Sequence, residues 1–192
     1  MTDHNHYGGD PESLLSVSYP NAQLSDLVLT IENRRRLWNV VMEQRQWDKI
    51  TFHGLQPVRR LLFTGPPGTG KTSTAQALAG ELGVPLYTVR LDLLTTHPKD
   101  EGEAEFRQVL DTLRQTYGVF VFDGVAEFTE ENRWILVMLQ QFLMQDTSKS
   151  VIIVASNRPR LLDGVIFEQC DRIVNFGLPT SDEARAIIEG QL

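Results

Sequence analysis

At 192 residues, 41% hydrophobic and with a net charge of −7, the chain can bury one good core and is too short for two ordinary domains. The acidic balance argues against a general electrostatic grip on nucleic acid or anionic lipid, since both need a positive surface, and leaves room only for a local basic patch. A single cysteine, Cys170, excludes an internal disulfide, and residues 1–10 show no secretory pattern. No apolar run approaches the roughly 18 residues of a membrane helix, so the reading is a cytoplasmic protein.

Residues 1–20 are polar and rich in Gly and Pro, which predicts a flexible N-terminal arm with His4 and His6 solvated, ahead of one α/β domain at 21–192. Leu37, Val40, Val41, Gln44 and Trp47 recur at helical spacing and predict a helix over 31–50, with Arg34, Arg35 and Arg36 on its solvated face. After Pro57, short apolar runs alternate with amphipathic stretches. The runs at 61–63, 86–91, 119–122, 151–155 and 173–176 lack polar alternation, the pattern of strands buried on both faces, and predict a parallel sheet. Between them, Ala75, Leu78, Ala79 and Leu82 mark one helix. Phe106, Val109, Leu110, Leu113 and Tyr117 mark a second, and Trp134, Met138 and Phe142 a third. Thr180 with Glu183 three residues later is a capping box and predicts a last helix.

The sharpest feature is Gly65, Pro66, Pro67, Gly68, Thr69, Gly70, Lys71 and Thr72, continuing into Ser73, between the strand at 61–63 and a helix. Such a loop aims successive backbone N–H groups at a triphosphate, at the positive end of a helix dipole. Lys71 supplies a point charge for the β- and γ-phosphates, and the Thr72 hydroxyl a ligand for Mg2+. Phosphoryl chemistry also needs a carboxylate by the metal. Asp123, at the end of the apolar strand Phe120-Val121-Phe122, is that candidate. ATP and Mg2+ are the expected ligands.

With these residues in hand, residues 25–192 resemble the AAA branch of the AAA+ ATPases. Gly65 to Thr72 match the Walker A loop, Phe120 to Asp123 the Walker B strand, and Ile152-Ile153-Val154-Ala155-Ser156-Asn157-Arg158-Pro159 the sensor-1 strand. The resemblance implies a three-layer P-loop sandwich around a five-stranded parallel sheet. It implies that Asn157 helps to orient the attacking water, and that Leu27 and Val28, in Asp26-Leu27-Val28-Leu29, hold adenine. Ordinary packing would explain that last stretch equally well. Relatives form rings with a nucleotide between subunits, which implies homo- or hetero-oligomers with AAA-type subunits and a possible protein client.

The sequence departs from that pattern at four places. Gly124 stands where relatives carry the glutamate that polarises water, and the nearest carboxylate, Glu127, reads as a poor substitute or a helix cap. Glu168 and Gln169 fill the arginine-finger places, leaving Arg172 as either the remaining finger or a surface partner of Asp171 or Glu168. His97-Pro98-Lys99-Asp100 has no aromatic where relatives grip a threaded polypeptide. Ending at Leu192, the chain has room for the first helix after the sheet and little of the C-terminal helical lid. The expectation is an ATP-binding subunit or regulator with weak or absent hydrolysis. An active ATPase completed by partner subunits is the alternative, and a small P-loop kinase a third.

Overall fold

The computed structural model describes residues 13–124, 130–158 and 164–178. Six strands form one sheet: β1 (Leu15–Ser18), β2 (Arg60–Thr64), β3 (Leu86–Arg90), β4 (Val119–Asp123), β5 (Val151–Ser156) and β6 (Arg172–Asn175), in the spatial order β1-β3-β4-β5-β2-β6. Strands β2 to β6 pair in parallel, and β1 pairs antiparallel with β3, Leu15 facing Val89 and Ser18 facing Leu86. The five predicted strands are present. The sixth, β1, lies inside the stretch read as a loose arm: Leu14 is buried, and its carbonyl accepts the Arg90 N–H at 2.9 Å. A four-residue strand carries too little pattern to declare itself, and its pairing is supplied by a strand far along the chain.

The uninterrupted apolar runs have a simple cause. Leu62, Phe120, Phe122, Ile152 and Val154 point to one face of the sheet, while Leu61, Phe63, Val119, Val121, Ile153 and Ala155 point to the other. Each face is covered, so neither can be polar. On the first face lie α5 (Lys99–Arg114), α6 (Arg133–Gln145) and α7 (Gly164–Gln169). On the second lie α1 (Ile31–Arg45) and α3 (Lys71–Leu82). Two short helices complete the set among the described residues, α2 (Trp47–Phe52) and α4 (Leu91–Leu94).

Several expectations shift by a turn or less. The helix over 31–50 breaks at Gln46, whose φ of −106° and ψ of 22° end α1 and start α2. Arg36 is only partly solvated, since it donates to the Ile173 carbonyl of β6 and pairs with Glu32. Tyr117 leaves the helical stripe because α5 ends at Arg114, and it is exposed. Trp134 and Met138 pack at the rim of the core, whose buried α6 residues are Ile135, Leu139, Phe142 and Leu143. The helix expected from Thr180 lies outside the described residues. Beneath the sheet, Arg59 pairs with the Asp146 carboxylate and donates to the Asp146 carbonyl at 2.6 Å, both side chains buried, tying the end of α6 to the start of β2.

Candidate functional site

Parallel pairing brings the C-terminal ends of β2, β5 and β4 to one edge. Thr64 faces Ser156 across β2 and β5, and Phe122 faces Val154 across β5 and β4, so the loop after β2, Asn157 and Asp123 all emerge together. The turn after Thr64 depends on its glycines. Gly65 has φ of +147°, and a Cβ there would stand 2.0 Å from the Phe176 carbonyl oxygen, so no side chain fits. Gly70, at φ +93°, caps the N-terminus of α3 in the left-handed region. The Gly65 N–H donates to Ser156 O at 3.2 Å, and Phe176 N–H to Thr64 O at 2.7 Å, which fixes the loop's root on both sides.

Lys71, the first residue of α3, is only 7% exposed, and its Nζ donates to Gly65 O and Pro66 O, both at 2.7 Å. Burial pulls its pKa below the usual 10.5, against the nearby Asp123 carboxylate, which pushes it up. Thr69 Oγ1 donates to Pro66 O at 2.8 Å and Thr74 Oγ1 to Gly70 O at 2.8 Å, bracing the loop from within. Pro66, Pro67 and Gly68 are exposed on the outer arc, and Thr72 and Ser73 are exposed on the first turn of α3. Asp123 Oδ1 accepts the Gly124 N–H at 2.8 Å. The Thr72 hydroxyl and the Asp123 carboxylate are hard oxygen donors. They suit Mg2+, which takes one or two protein oxygens and fills its octahedron with phosphate and water.

Asn157 follows β5 directly and is exposed beside the loop root, while Ser156 Oγ accepts the Arg158 N–H at 3.2 Å. Leu27 is half-buried against the α1 and α3 core and its carbonyl accepts Arg34 Nη2 at 3.2 Å, whereas Val28 is 39% exposed. Glu127 lies outside the described residues. Arg172 sits at the opposite end of the sheet from the loop: it faces Leu61, three residues before the pair Thr64 and Asn175, about 10 Å along the strand. Its guanidinium donates to Arg36 O at 3.3 Å and lies 3.9 Å from Glu43, not beside Asp171 or Glu168. Cys170 is a packing residue, its thiol pushed up to about 12 by burial and by Asp171, with Arg60 pulling the other way.

Two features escaped sequence reasoning. Gly124 has φ of +84°, and a Cβ there would meet Asp92 N at 3.1 Å and Asp92 Cβ at 3.4 Å. The backbone and Cβ of Asp92, in the first turn of α4, therefore stand next to Gly124. The parallel neighbours β3 and β4, with Arg90 facing Asp123, bring Asp92 there. Its side chain pairs with Arg90 at 3.1 Å. Strand adjacency was the missing signal, because nothing within residues 86–94 says which strand lies beside them. The second is Asn175, which accepts from the Thr64 hydroxyl at the loop root and, through its carbonyl, from Asn33 Nδ2 at 2.8 Å.

Comparison with known proteins agrees with this geometry. Residues 61–178 match the ATPase family associated with various cellular activities (AAA). An uncharacterised AAA family ATPase of Sinorhizobium fredii is 33% identical over 169 residues, covering 83% of this chain and 51% of that protein. The ATP-dependent zinc metalloprotease FtsH 3 of Sphaerobacter thermophilus is 29% identical over 94% of this chain and 40% of its own length. The ribosome biogenesis ATPase RIX7 of Saccharomyces cerevisiae is 36% identical over 59% of this chain and 15% of its own. The chain thus spans about half or less of the length of these relatives, and the family match over residues 61–178 takes in the loop, Asp123 and Asn157. The chain belongs to the AAA family of ATPases.

Proposed function

We propose that this chain binds ATP with Mg2+ and hydrolyses it weakly or not at all, acting as a nucleotide-dependent subunit or regulator in an assembly of AAA-type subunits. The observation that carries the reading is the contrast within one site: a complete phosphate loop beside a left-handed Gly124. Affinity for ATP rests on the loop amides, the Lys71 charge and the oxygens around the metal. Turnover rests on orienting water and stabilising charge that appears only in the transition state.

In this mechanism Gly65, Gly68 and Gly70 let the loop approach the phosphates closely. Lys71 exchanges the carbonyls of Gly65 and Pro66 for phosphate oxygens, regaining a charged partner for a buried ammonium. Thr72 and Asp123 would hold Mg2+, which when bound would supply charge neutralisation on the phosphates. Asn157 holds a water or a terminal phosphate oxygen through its amide. Leu27 and Val28 offer apolar contact to the adenine. Gly124 has no side chain to act as a base, and the Arg172 guanidinium is engaged by the Arg36 carbonyl and lies 3.9 Å from Glu43.

The second reading, an ATPase active with partner subunits, is favoured by one observation: Asp92, an acidic residue whose carboxylate pairs with Arg90, packs its backbone and Cβ beside Gly124. A partner's arginine would then complete the charge stabilisation. Calorimetric titration with MgATP and MgADP, alongside phosphate release, tests the proposal. Loss of one charge-assisted phosphate contact is worth about 1.5–3 kcal/mol, so Lys71→Ala should weaken ATP binding roughly 10- to 150-fold. Wild-type affinity in Lys71→Ala would remove the site. Robust phosphate release by the isolated wild type would leave binding in place and overturn the weak-turnover half.

A further inference from the structure

Gly80, near the C-terminal end of α3, is packed against a second backbone. A Cβ added there would stand 2.0 Å from the Ala22 carbonyl oxygen and 3.2 Å from that of Pro20. A helix interior ordinarily disfavours glycine by about 1 kcal/mol relative to alanine, so the residue matters here for the close approach it permits. The next residue, Glu81, extends the contact. Its Oε1 accepts the Leu24 N–H at 3.3 Å, and Arg45 Nη2 reaches its carbonyl at 2.8 Å and its Oε2 at 3.5 Å. Leu24 is fully buried, and a short turn over Leu24–Asp26, closed by the Gln23 N–H on Asp26 Oδ2 at 2.8 Å, leads directly into Leu27 and Val28.

One straight element therefore has the phosphate loop at its N-terminus and the segment carrying Leu27 and Val28 clamped near its other end. The 12 residues of α3 span about 18 Å, a fixed spacer between the two. We propose that Gly80 and Glu81 are positioning residues for the nucleoside half of ATP: they hold the 20–28 segment at the height where Leu27 and Val28 meet the base, and so set how much the adenosine adds to affinity. The inference rests on the reading of Leu27 and Val28 as the adenine contact.

The test titrates the full chain, as wild type, Gly80→Ala and Glu81→Ala, with MgATP and separately with inorganic tripolyphosphate and Mg2+. Tripolyphosphate sees the loop alone, and ATP sees the loop and the segment. Gly80→Ala should weaken ATP about tenfold, equivalent to about 1.4 kcal/mol, while tripolyphosphate stays within about twofold. Glu81→Ala should move the same way by less, and it carries the test alone if Gly80→Ala does not fold. Equal weakening of both ligands, the mark of general destabilisation, would overturn the proposal, as would unchanged ATP affinity in both variants. A wild type that binds ATP no more tightly than tripolyphosphate would overturn the adenine reading underneath, and an unbound tripolyphosphate the loop reading itself.

Discussion

At φ of +84° the backbone of Gly124 lies where an L-residue is strained by about 1–2 kcal/mol, and the first side-chain atom would also press on the Asp92 amide. Restoring the glutamate of the family pattern is therefore not a simple repair. Gly124→Glu is expected to lower stability by about 1–3 kcal/mol, to keep ATP binding and to leave phosphate release where it was, read by thermal melting and a coupled phosphate assay. A variant with wild-type melting and raised turnover would show that the missing side chain alone silences the chain. In the same panel, Asp92→Asn should remove most of whatever slow turnover the wild type has, with ATP affinity unchanged; equal turnover would exclude Asp92 as the water-orienting group. Single residues were legible where chemistry dictates spacing. Gly65, Gly68, Gly70, Lys71 and Thr72 stand out because their spacing is that of a phosphate-loop pattern, and they lie where that pattern belongs, between β2 and α3. The dihedral angle of Gly124 and the partners of Arg172 depend on which helices, α4 and α1, the fold brings alongside, which no local pattern encodes.

Among the elements, the contact between α6 and β2 shows how a helix can be pinned at its end. The Arg59 guanidinium takes the Asp146 carboxylate and carbonyl together, and Asp146 Oδ1 also accepts the Ser148 N–H at 3.2 Å. Removing one partner strands a buried charge, which typically costs about 3–5 kcal/mol. Arg59→Ala should lose that much in urea denaturation, and a loss below about 1 kcal/mol would show that water reaches the pair and screens it. The strands themselves could be read from sequence because two covered faces demand unbroken apolar runs, and α3 and α5 because their inward stripes repeat at 3.6 residues. The break at Gln46 and the early end of α5 before Tyr117 could not, since each is decided by how the chain must turn back toward the sheet. Arg36 was misread for a related reason: an arginine triplet looks solvated until a strand edge offers a carbonyl.

For the molecule as a whole, the arrangement of layers follows from the parallel sheet, and the site from where its strand ends converge. The family match over residues 61–178 takes in the loop, Asp123 and Asn157, and among the described residues no helix is long and apolar enough to cross a membrane. The short strand β1 has a further consequence. Without it, β3 would present an unpaired row of N–H and C=O groups flanked by the apolar Val89 and Leu86, a template on which another copy could add itself. Four residues of antiparallel ladder occupy those groups, and with Ser16 and Ser18 in the new border they offer a poorer surface for recruitment. Deleting residues 1–18 should therefore raise self-association of the folded chain at high concentration, seen as growing light scattering beside a full-length control. Identical scattering from both would mean that the border of the sheet is guarded by something other than β1. The stretch that composition marks as loose thus ends in a segment that takes up the edge of β3.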